Sequence, residues 1–211
     1  MDVDQQIMLE DYKKDLLEIL YARSFQLDPD KGFTLASGAK SDVYIDVKKT
    51  ALSAEAMELV GYAFFVKLKL EPVDCVGGLT LGADPLAYAA ALVSTMHGKY
   101  LDAFVVRKEP KAHGTQKWIE GNVREDAWAV IIEDVVTTGE STIKAIERAR
   151  EAGMQVRKVI AFVDREEGGK ERIEKEGHVK FDWIFTKSDL LEVHEKHEEE
   201  KKKEEAEEEM F

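Results

Sequence analysis

The chain has 211 residues, of which 44% are hydrophobic, and its 43 acidic residues against 30 Lys and Arg give a net charge of −13. This length fits one domain, or one domain with a short appendage. The strong acidity argues against nonspecific binding to nucleic acid, because the phosphate backbone would repel such a surface.

Cysteine content and hydropathy exclude several further classes of protein. Cys75 is the only cysteine, which excludes an internal disulfide and a zinc cluster of cysteines. No stretch approaches the ~20 apolar residues that a membrane helix needs. The acidic start, Met1 to Asp4, lacks the basic region and apolar core of a signal peptide. We therefore expect a soluble, cytoplasmic protein without a membrane or nucleic-acid partner.

The negative charge is concentrated at the C-terminal end. Residues 192–211 contain ten Glu and four Lys and show almost no apolar periodicity. We expect them to form an acidic, solvated tail outside a single domain that spans residues 1–191.

The first 52 residues are predicted to form a small subdomain, here called the hood, ahead of an α/β core over residues 53–191. Residues 8–22 have apolar positions near helical spacing, and residues 33–47 alternate and break at Ser37-Gly38, which predicts a hairpin. Ser53 is predicted to cap a helix that runs to about Leu70.

After residue 72 the pattern becomes strand, loop, helix, and repeats. Strands are predicted at 73–76, 103–106, 127–132, 156–163 and 179–185, and helices at 84–97, 142–152 and 166–176. Strands that are apolar throughout and alternate with helices indicate a parallel β-sheet flanked by helices on both faces. Ligands of such α/β sheets bind at the carboxyl ends of the strands.

The most informative segment follows the predicted strand at 127–132. Glu133 and Asp134, here called the acid pair, precede a loop of small hydroxyl residues with one glycine, Gly139, and a helix then begins. Backbone N–H groups at a helix start, together with Thr and Ser hydroxyls, can bind a phosphate. The carboxylates of the acid pair would repel that phosphate, so they must face a different group, either the hydroxyls of a sugar or a metal. The pattern therefore favours a phosphorylated sugar as the ligand. An acidic strand end followed by an ordinary helix cap is the alternative.

A second polar segment follows the strand at 103–106. Residues 107–121, here called the lid segment, contain four cations and a histidine, Arg107, Lys108, Lys111, His113 and Lys117. A polar loop of this length is typical of a lid that meets a polyanion, and a solvated surface loop is the alternative.

These segments resemble those of a known family. Residues 131–141 resemble the phosphoribosyl pyrophosphate (PRPP) motif of type I phosphoribosyltransferases. Three further segments resemble motifs of orotate phosphoribosyltransferases. Residues 107–121 resemble the lid of that family, residues 33–46 its F-T-L-x-S-G segment, and residues 163–168 its V-D-R-x-E-G stretch. The four motifs stand in family order, and the resemblance covers roughly residues 10–190.

The resemblance implies the type I phosphoribosyltransferase fold and transfer of a phosphoribosyl group from PRPP to orotate. It implies Mg²⁺, held through PRPP rather than by a certain protein ligand, and a homodimer with shared active sites. Lys111, Glu133 and Asp134 would be catalytic, and Thr137 and Arg165 would contact orotate. PRPP would contact Arg107, Lys108, Lys111, His113, Glu133, Asp134, Val135, Val136, Thr137, Thr138, Gly139, Glu140 and Ser141.

Arg165 also has a physical reason to favour orotate, because a planar guanidinium can bind a carboxylate with two hydrogen bonds. A surface salt bridge within residues 164–172 is the alternative for this arginine. Two positions depart from the family pattern. Ala36 stands where many relatives have Lys, and residues 78–85 lack a Lys, so that a pyrophosphate contact from this loop must come from backbone amides.

Two other functions remain open at this point. The first is a phosphoribosyltransferase for a purine or for uracil. The second is a PRPP-binding regulator without catalysis, which we would expect to lack the lid or to carry a DNA-binding domain. The lid segment favours an enzyme.

Overall fold

A computed structural model of the chain describes residues 3–34, 38, 40–110 and 117–208, with side chains from residue 12 onward. None of the described helices has both the length and the apolar composition needed to cross a membrane.

The hood contains one long helix and two short antiparallel pairs. Helix α1 (Val3–Ser24) leads into strands β1 (Phe25–Leu27), β2 (Phe33–Thr34), β3 (Lys40–Ser41) and β4 (Val43–Ile45). β2 pairs with β3, as the predicted hairpin requires, but β4 pairs with β1. The sequence did not reveal β1, because its three residues continue directly from the apolar pattern of α1.

Two helices connect the hood to the core. These are α2 (Lys48–Ala51) and α3 (Met57–Leu68). The prediction that Ser53 caps this helix is wrong, because the helix begins only at Met57 and its cap position is Ala56. Ser53 Oγ accepts a hydrogen bond from the Ala56 amide at 3.3 Å, within the turn that precedes the helix.

The core is a six-stranded sheet. Its strands are β5 (Cys75–Leu79), β6 (Asp102–Val106), β7 (Ile119–Gly121), β8 (Trp128–Val136), β9 (Gln155–Asp164) and β10 (Lys180–Thr186), in the order β10-β9-β8-β5-β6-β7. All neighbours are parallel except β7, which runs antiparallel to β6. The predicted α/β architecture is confirmed, and β7 is an addition that the sequence did not reveal.

Helices cover both faces of the sheet. They are α3, already described, with α4 (Ala83–Met96), α5 (Glu140–Glu151), α6 (Gly169–Gly177) and α7 (Lys187–Glu208). Val130 and Ile132 of β8 pack in the cluster that contains residues of α3 and α4, whereas Ala129 and Ile131 pack with residues of α5 and α6. Successive residues of β8 thus serve opposite layers, which explains why the strand is apolar throughout.

Helix α7 includes much of the acidic segment at the C-terminal end. Leu190 and Val193 are buried, and His194 Nδ1 lies 2.9 Å from the Tyr21 hydroxyl on α1. His197 Nε2 lies 2.9 Å from a Glu18 carboxylate oxygen, also on α1. The side chains of residues 198–208 are exposed.

The topology fixes where a ligand can bind. The chain leaves β5 through α4 to reach β6 on one side, and later enters β8 on the other side of β5. This reversal creates a crevice at the carboxyl ends of β5 and β8, the usual place for a ligand in an open α/β sheet.

Candidate active site

The acid pair lies within β8 rather than after it, because the strand continues to Val136. Glu133 is only 4% exposed and accepts hydrogen bonds from the hydroxyls of Ser141 at 3.1 Å and Thr142 at 2.8 Å. Burial, reinforced by the charge of Asp134, raises the pKa of Glu133 to about 8. Glu133 therefore ties the strand to the start of α5 and ionises less readily than an ordinary carboxyl group.

Asp134 has different surroundings, since its side chain is only partly buried. Its carboxylate packs against the backbone of Gly82, the residue before α4, so closely that a Cβ at Gly82 would overlap it. Lys48 of α2 forms an ion pair with Asp46 at 2.7 Å. The hydrogen bond to Asp46 is the main cause of a raised pKa of Lys48; burial opposes the rise, and the negative charge of Asp134 adds to it. Asp134 is thus the member of the acid pair that a ligand can reach.

The loop at residues 137–141, here called the phosphate loop, joins β8 to α5. Gly139 has φ of 76° and precedes the first residue of α5. A Cβ at this position would lie 2.8 Å from Ile173 Cγ1 and 3.1 Å from the Gly169 carbonyl oxygen, so the turn requires glycine. A strand end, a left-handed glycine turn and a helix start thus follow one another here, which is the local structure that the sequence predicts for a phosphate site.

The described part of the lid segment is anchored at both ends. The Arg107 amide donates to the Trp118 carbonyl at 2.8 Å, and its guanidinium pairs with Glu120 at 3.0 Å. Lys108 is exposed. Lys111 and His113 lie outside the described residues.

Arg165 is 2% exposed and follows β9. Its Nη2 donates to Ser41 Oγ at 2.9 Å, both Nη atoms lie 3.3 Å from the Val43 carbonyl oxygen, and Nε donates to Glu167 at 3.0 Å. The alternative to an orotate contact was a salt bridge on the surface within residues 164–172. The salt bridge is present, between Arg165 and Glu167, but the guanidinium is buried between hood and core rather than on the surface.

The structure also shows contacts that the sequence did not predict. Gly82 packs against Asp134, the charge of Asp134 raises the pKa of Lys48, and Ser41 accepts a hydrogen bond from Arg165. Gly82 and Ser41 belong to segments that the sequence singled out, the 78–85 loop and the 33–46 motif, but the pattern did not predict these partners. The approach of Lys48 depends on how the hood folds over the core, which periodicity does not report.

Comparison with known proteins agrees with this geometry. No family model matches the chain. The orotate phosphoribosyltransferase of Aquifex aeolicus (strain VF5) is 44% identical over 185 residues, which cover 88% of this chain and 100% of the relative.

Solved structures show the same likeness. The orotate phosphoribosyltransferase of Mycobacterium tuberculosis H37Rv, in complex with Fe(III) dicitrate, superposes with a TM-score of 0.73 at 35% identity. The same enzyme in complex with PRPP gives a TM-score of 0.68 at 32% identity, and each comparison covers 85% of this chain and 98% of the other. With 44% identity to a relative matched over its full length, this chain belongs to the orotate phosphoribosyltransferase family.

Proposed function

We propose that this chain transfers the 5-phosphoribosyl group of PRPP to orotate, which produces orotidine 5′-monophosphate and pyrophosphate in pyrimidine biosynthesis. The observation that carries the proposal is the junction of β8 and α5. There a phosphate loop with a left-handed Gly139 stands directly beside an accessible carboxylate, Asp134, at the switch point of the sheet.

Each part of PRPP then has a group that suits it. The phosphate loop takes the 5′-phosphate, because amide N–H groups and hydroxyls favour an anion. Asp134 accepts hydrogen bonds from the ribose diol. Glu133, which the family resemblance also assigned to the diol, is buried and holds Ser141 and Thr142 at the start of α5 instead. Arg107, Lys108, Lys111 and His113 take the pyrophosphate.

The chemistry requires positioning and charge stabilisation rather than a nucleophilic side chain. The bond from C1 of the ribose to pyrophosphate breaks, and pyrophosphate leaves with its electron pair. Orotate N1 forms the new bond to C1 and gives its proton to pyrophosphate or solvent. In the transition state C1 is cationic, so the carboxylate of Asp134 near the sugar and the lid cations near the leaving group stabilise opposite charges.

Arg165 and Thr137 are the proposed orotate contacts. Arg165 brings a permanent positive charge to the end of β9, between the hood and the phosphate loop. Among the described residues, one of the two Nη1 hydrogens has no acceptor, since Nη1 has only the Val43 carbonyl as a partner. An orotate carboxylate is a suitable acceptor for it.

The site also fits Mg²⁺ that arrives with the substrate. Within the described ranges, no three His, Cys, Asp or Glu side chains converge in the way that an all-protein metal site would need. Mg²⁺ usually binds one or two carboxylates together with substrate phosphates and water. Asp134, accessible and beside the crevice, would be that carboxylate. The ion would neutralise part of the pyrophosphate charge.

We also propose a homodimer with shared active sites. Helix α4 exposes Tyr88, Leu92 and Met96, which are 52%, 62% and 73% exposed and follow one another at four-residue spacing. An apolar stripe of this kind is typical of a protein interface. The N-terminal end of α4 lies beside Gly82 and Asp134, so the same helix joins the proposed interface to the crevice. The cytoplasmic location stays a prediction.

A panel of bases tests the proposal against its alternatives. Purified protein with PRPP and Mg²⁺ is expected to consume orotate and release pyrophosphate, and to leave adenine and uracil unchanged. Asp134→Ala should abolish turnover, while Asp30→Ala, on an exposed turn of the hood, should not change it. Turnover of adenine or uracil without orotate would identify a different transferase, and PRPP binding without turnover of any base would identify a regulator.

A further inference from the structure

The loop between β5 and α4 has an internal framework of its own. The Thr80 amide donates to the Val106 carbonyl at the end of β6 (2.8 Å), and the Asp84 amide donates to the Leu81 carbonyl at 3.3 Å. The hydroxyl of Thr80 donates to Asp84 Oδ2 at 2.6 Å, across the first turn of α4. The loop is thereby fixed both to the neighbouring strand and to the helix that follows.

The two carboxylate oxygens of Asp84 have different surroundings. Its Oδ1 is buried and accepts no hydrogen bond from any described residue. Burial raises the pKa of Asp84, and the hydrogen bond from Thr80 opposes that rise. A carboxylate that is removed from water loses hydrogen bonds to the solvent and needs hydrogen bonds from the protein instead. The hydroxyl of Thr80 supplies one of them to Asp84.

Gly82 lies in the middle of this loop and forms one wall of the space around Asp134. A Cβ at Gly82 would overlap the Asp134 carboxylate, so the backbone and the carboxylate are in direct contact. Asp134 is only partly buried and lies at the carboxyl end of β8, where the topology places the crevice. The position of the loop therefore limits the orientations open to Asp134.

We propose that Thr80 and Asp84 are positioning residues for the transfer reaction, which hold Gly82 against Asp134 and so orient the carboxylate toward the ribose hydroxyls of PRPP. This inference rests on the proposed function and adds a specific dependence to it. PRPP recognition should depend on a hydrogen bond between two side chains that do not touch the ribose. Orotate recognition, which we assign to Arg165 and Thr137, should not.

The test compares Thr80→Val with Thr80→Ser. Val has nearly the shape of Thr but cannot donate a hydrogen bond, whereas Ser keeps the hydroxyl. We expect Thr80→Val to raise the KM for PRPP about tenfold, which corresponds to roughly 1.4 kcal/mol. The KM for orotate should stay within about twofold of wild type, and Thr80→Ser should restore the KM for PRPP.

The chain offers a matched control at another helix start. Thr186 precedes α7, its Oγ accepts from the Asp189 amide at 3.0 Å, and its own amide donates to Asp189 Oδ2 at 2.7 Å. Thr186→Val removes a comparable hydrogen bond from a helix end that does not contact Asp134. It should lower the melting temperature without changing the KM for PRPP.

Several outcomes would overturn the inference. One is an active wild-type enzyme whose Thr80→Val variant keeps the KM for PRPP. Another is a rise in the KM for PRPP that appears equally in Thr80→Val and in Thr186→Val when the two variants have the same melting temperature. If Thr80→Val does not fold, Asp84→Asn and Asp84→Leu give the same comparison, since only Asn keeps an acceptor for Thr80. A wild-type protein that neither binds PRPP nor consumes orotate would instead refute the proposed function.

Discussion

Glu133 combines deep burial with an ionisable group, which makes its environment sensitive to pH. It is 4% exposed, and its hydrogen-bond donors are the hydroxyls of Ser141 and Thr142. Burial and the neighbouring Asp134 raise its pKa from 4.5 to about 8. The folded protein therefore holds a proton here at pH values where the unfolded chain has already released it.

This difference predicts how stability depends on pH. Between about pH 4.5 and 8, unfolding releases the Glu133 proton, so the free energy of unfolding falls as the pH rises through this window. Glu133→Gln keeps an acceptor for Thr142 but cannot ionise, and should lose this dependence. We expect the variant to gain stability relative to wild type from pH 5 to pH 8 in urea unfolding.

Glu200→Gln, on the exposed part of α7, is the control for that experiment and should run parallel to wild type. Parallel curves for Glu133→Gln as well would show that Glu133 ionises in the folded protein much as it does in the unfolded chain.

Glu133 also shows how much of the site could be predicted from the sequence at the scale of single residues. The motif marked Glu133 as functional, but its burial beneath α5 depends on packing between layers.

At the scale of elements, the junction of β8 and α5 depends on Gly139. A side chain there would have to adopt φ of 76° and would approach Ile173 Cγ1 to 2.8 Å. The left-handed conformation alone costs a non-glycine residue roughly 1–2 kcal/mol. We predict that Gly139→Ala weakens PRPP binding at least about tenfold, measured by titration calorimetry, because the phosphate loop must shift.

Gly153 at the other end of α5 provides the control. Its φ is 88°, so alanine carries a similar backbone penalty, but its neighbours belong to Glu125 rather than to the phosphate loop. Gly153→Ala should lower stability and leave the affinity for PRPP unchanged. Equal affinity in both variants would mean that the phosphate binds elsewhere.

The sequence predicted the long elements of the core better than the short ones. β8 and β9 are apolar on both faces because α3 and α4 cover one face and α5 and α6 the other, and that pattern is visible in the residues alone. β1 and β7 have three residues each and depend on their partners, so no local pattern marks them. The contact of Gly82 with Asp134 likewise arises only when β5 and β8 lie side by side.

At the scale of the whole molecule, side-chain contacts join segments far apart in the chain. Arg165 connects the end of β9 to Ser41 and Val43 in the hood. His194 and Tyr21 join α7 to α1, so the helices at the two ends of the chain support each other. The stripe of Tyr88, Leu92 and Met96 on α4 takes no part in these contacts, and each of its residues is more than half exposed.

The exposed stripe predicts the oligomeric state. We expect the wild-type chain to sediment as a dimer and Leu92→Glu to sediment as a monomer, because a charge at the centre of the stripe cannot be buried without a partner. Leu70→Glu is the control, since Leu70 is also exposed but follows α3 and lies outside the stripe. A monomeric wild type, or a dimeric Leu92→Glu, would contradict the assignment of this face.

Shared active sites add a kinetic consequence to that dimer. If the lid segment of one subunit acts on PRPP bound to the other, Lys111→Ala and Asp134→Ala damage different halves of each site. Mixing the two inactive variants should then restore part of the activity, because some hybrid dimers contain one site with both residues intact. The same mixture made in the Leu92→Glu background should stay inactive, since no hybrid can form. Hybrid dimers that are verified by mass but show no recovered turnover would mean that each subunit closes its own lid over its own substrate.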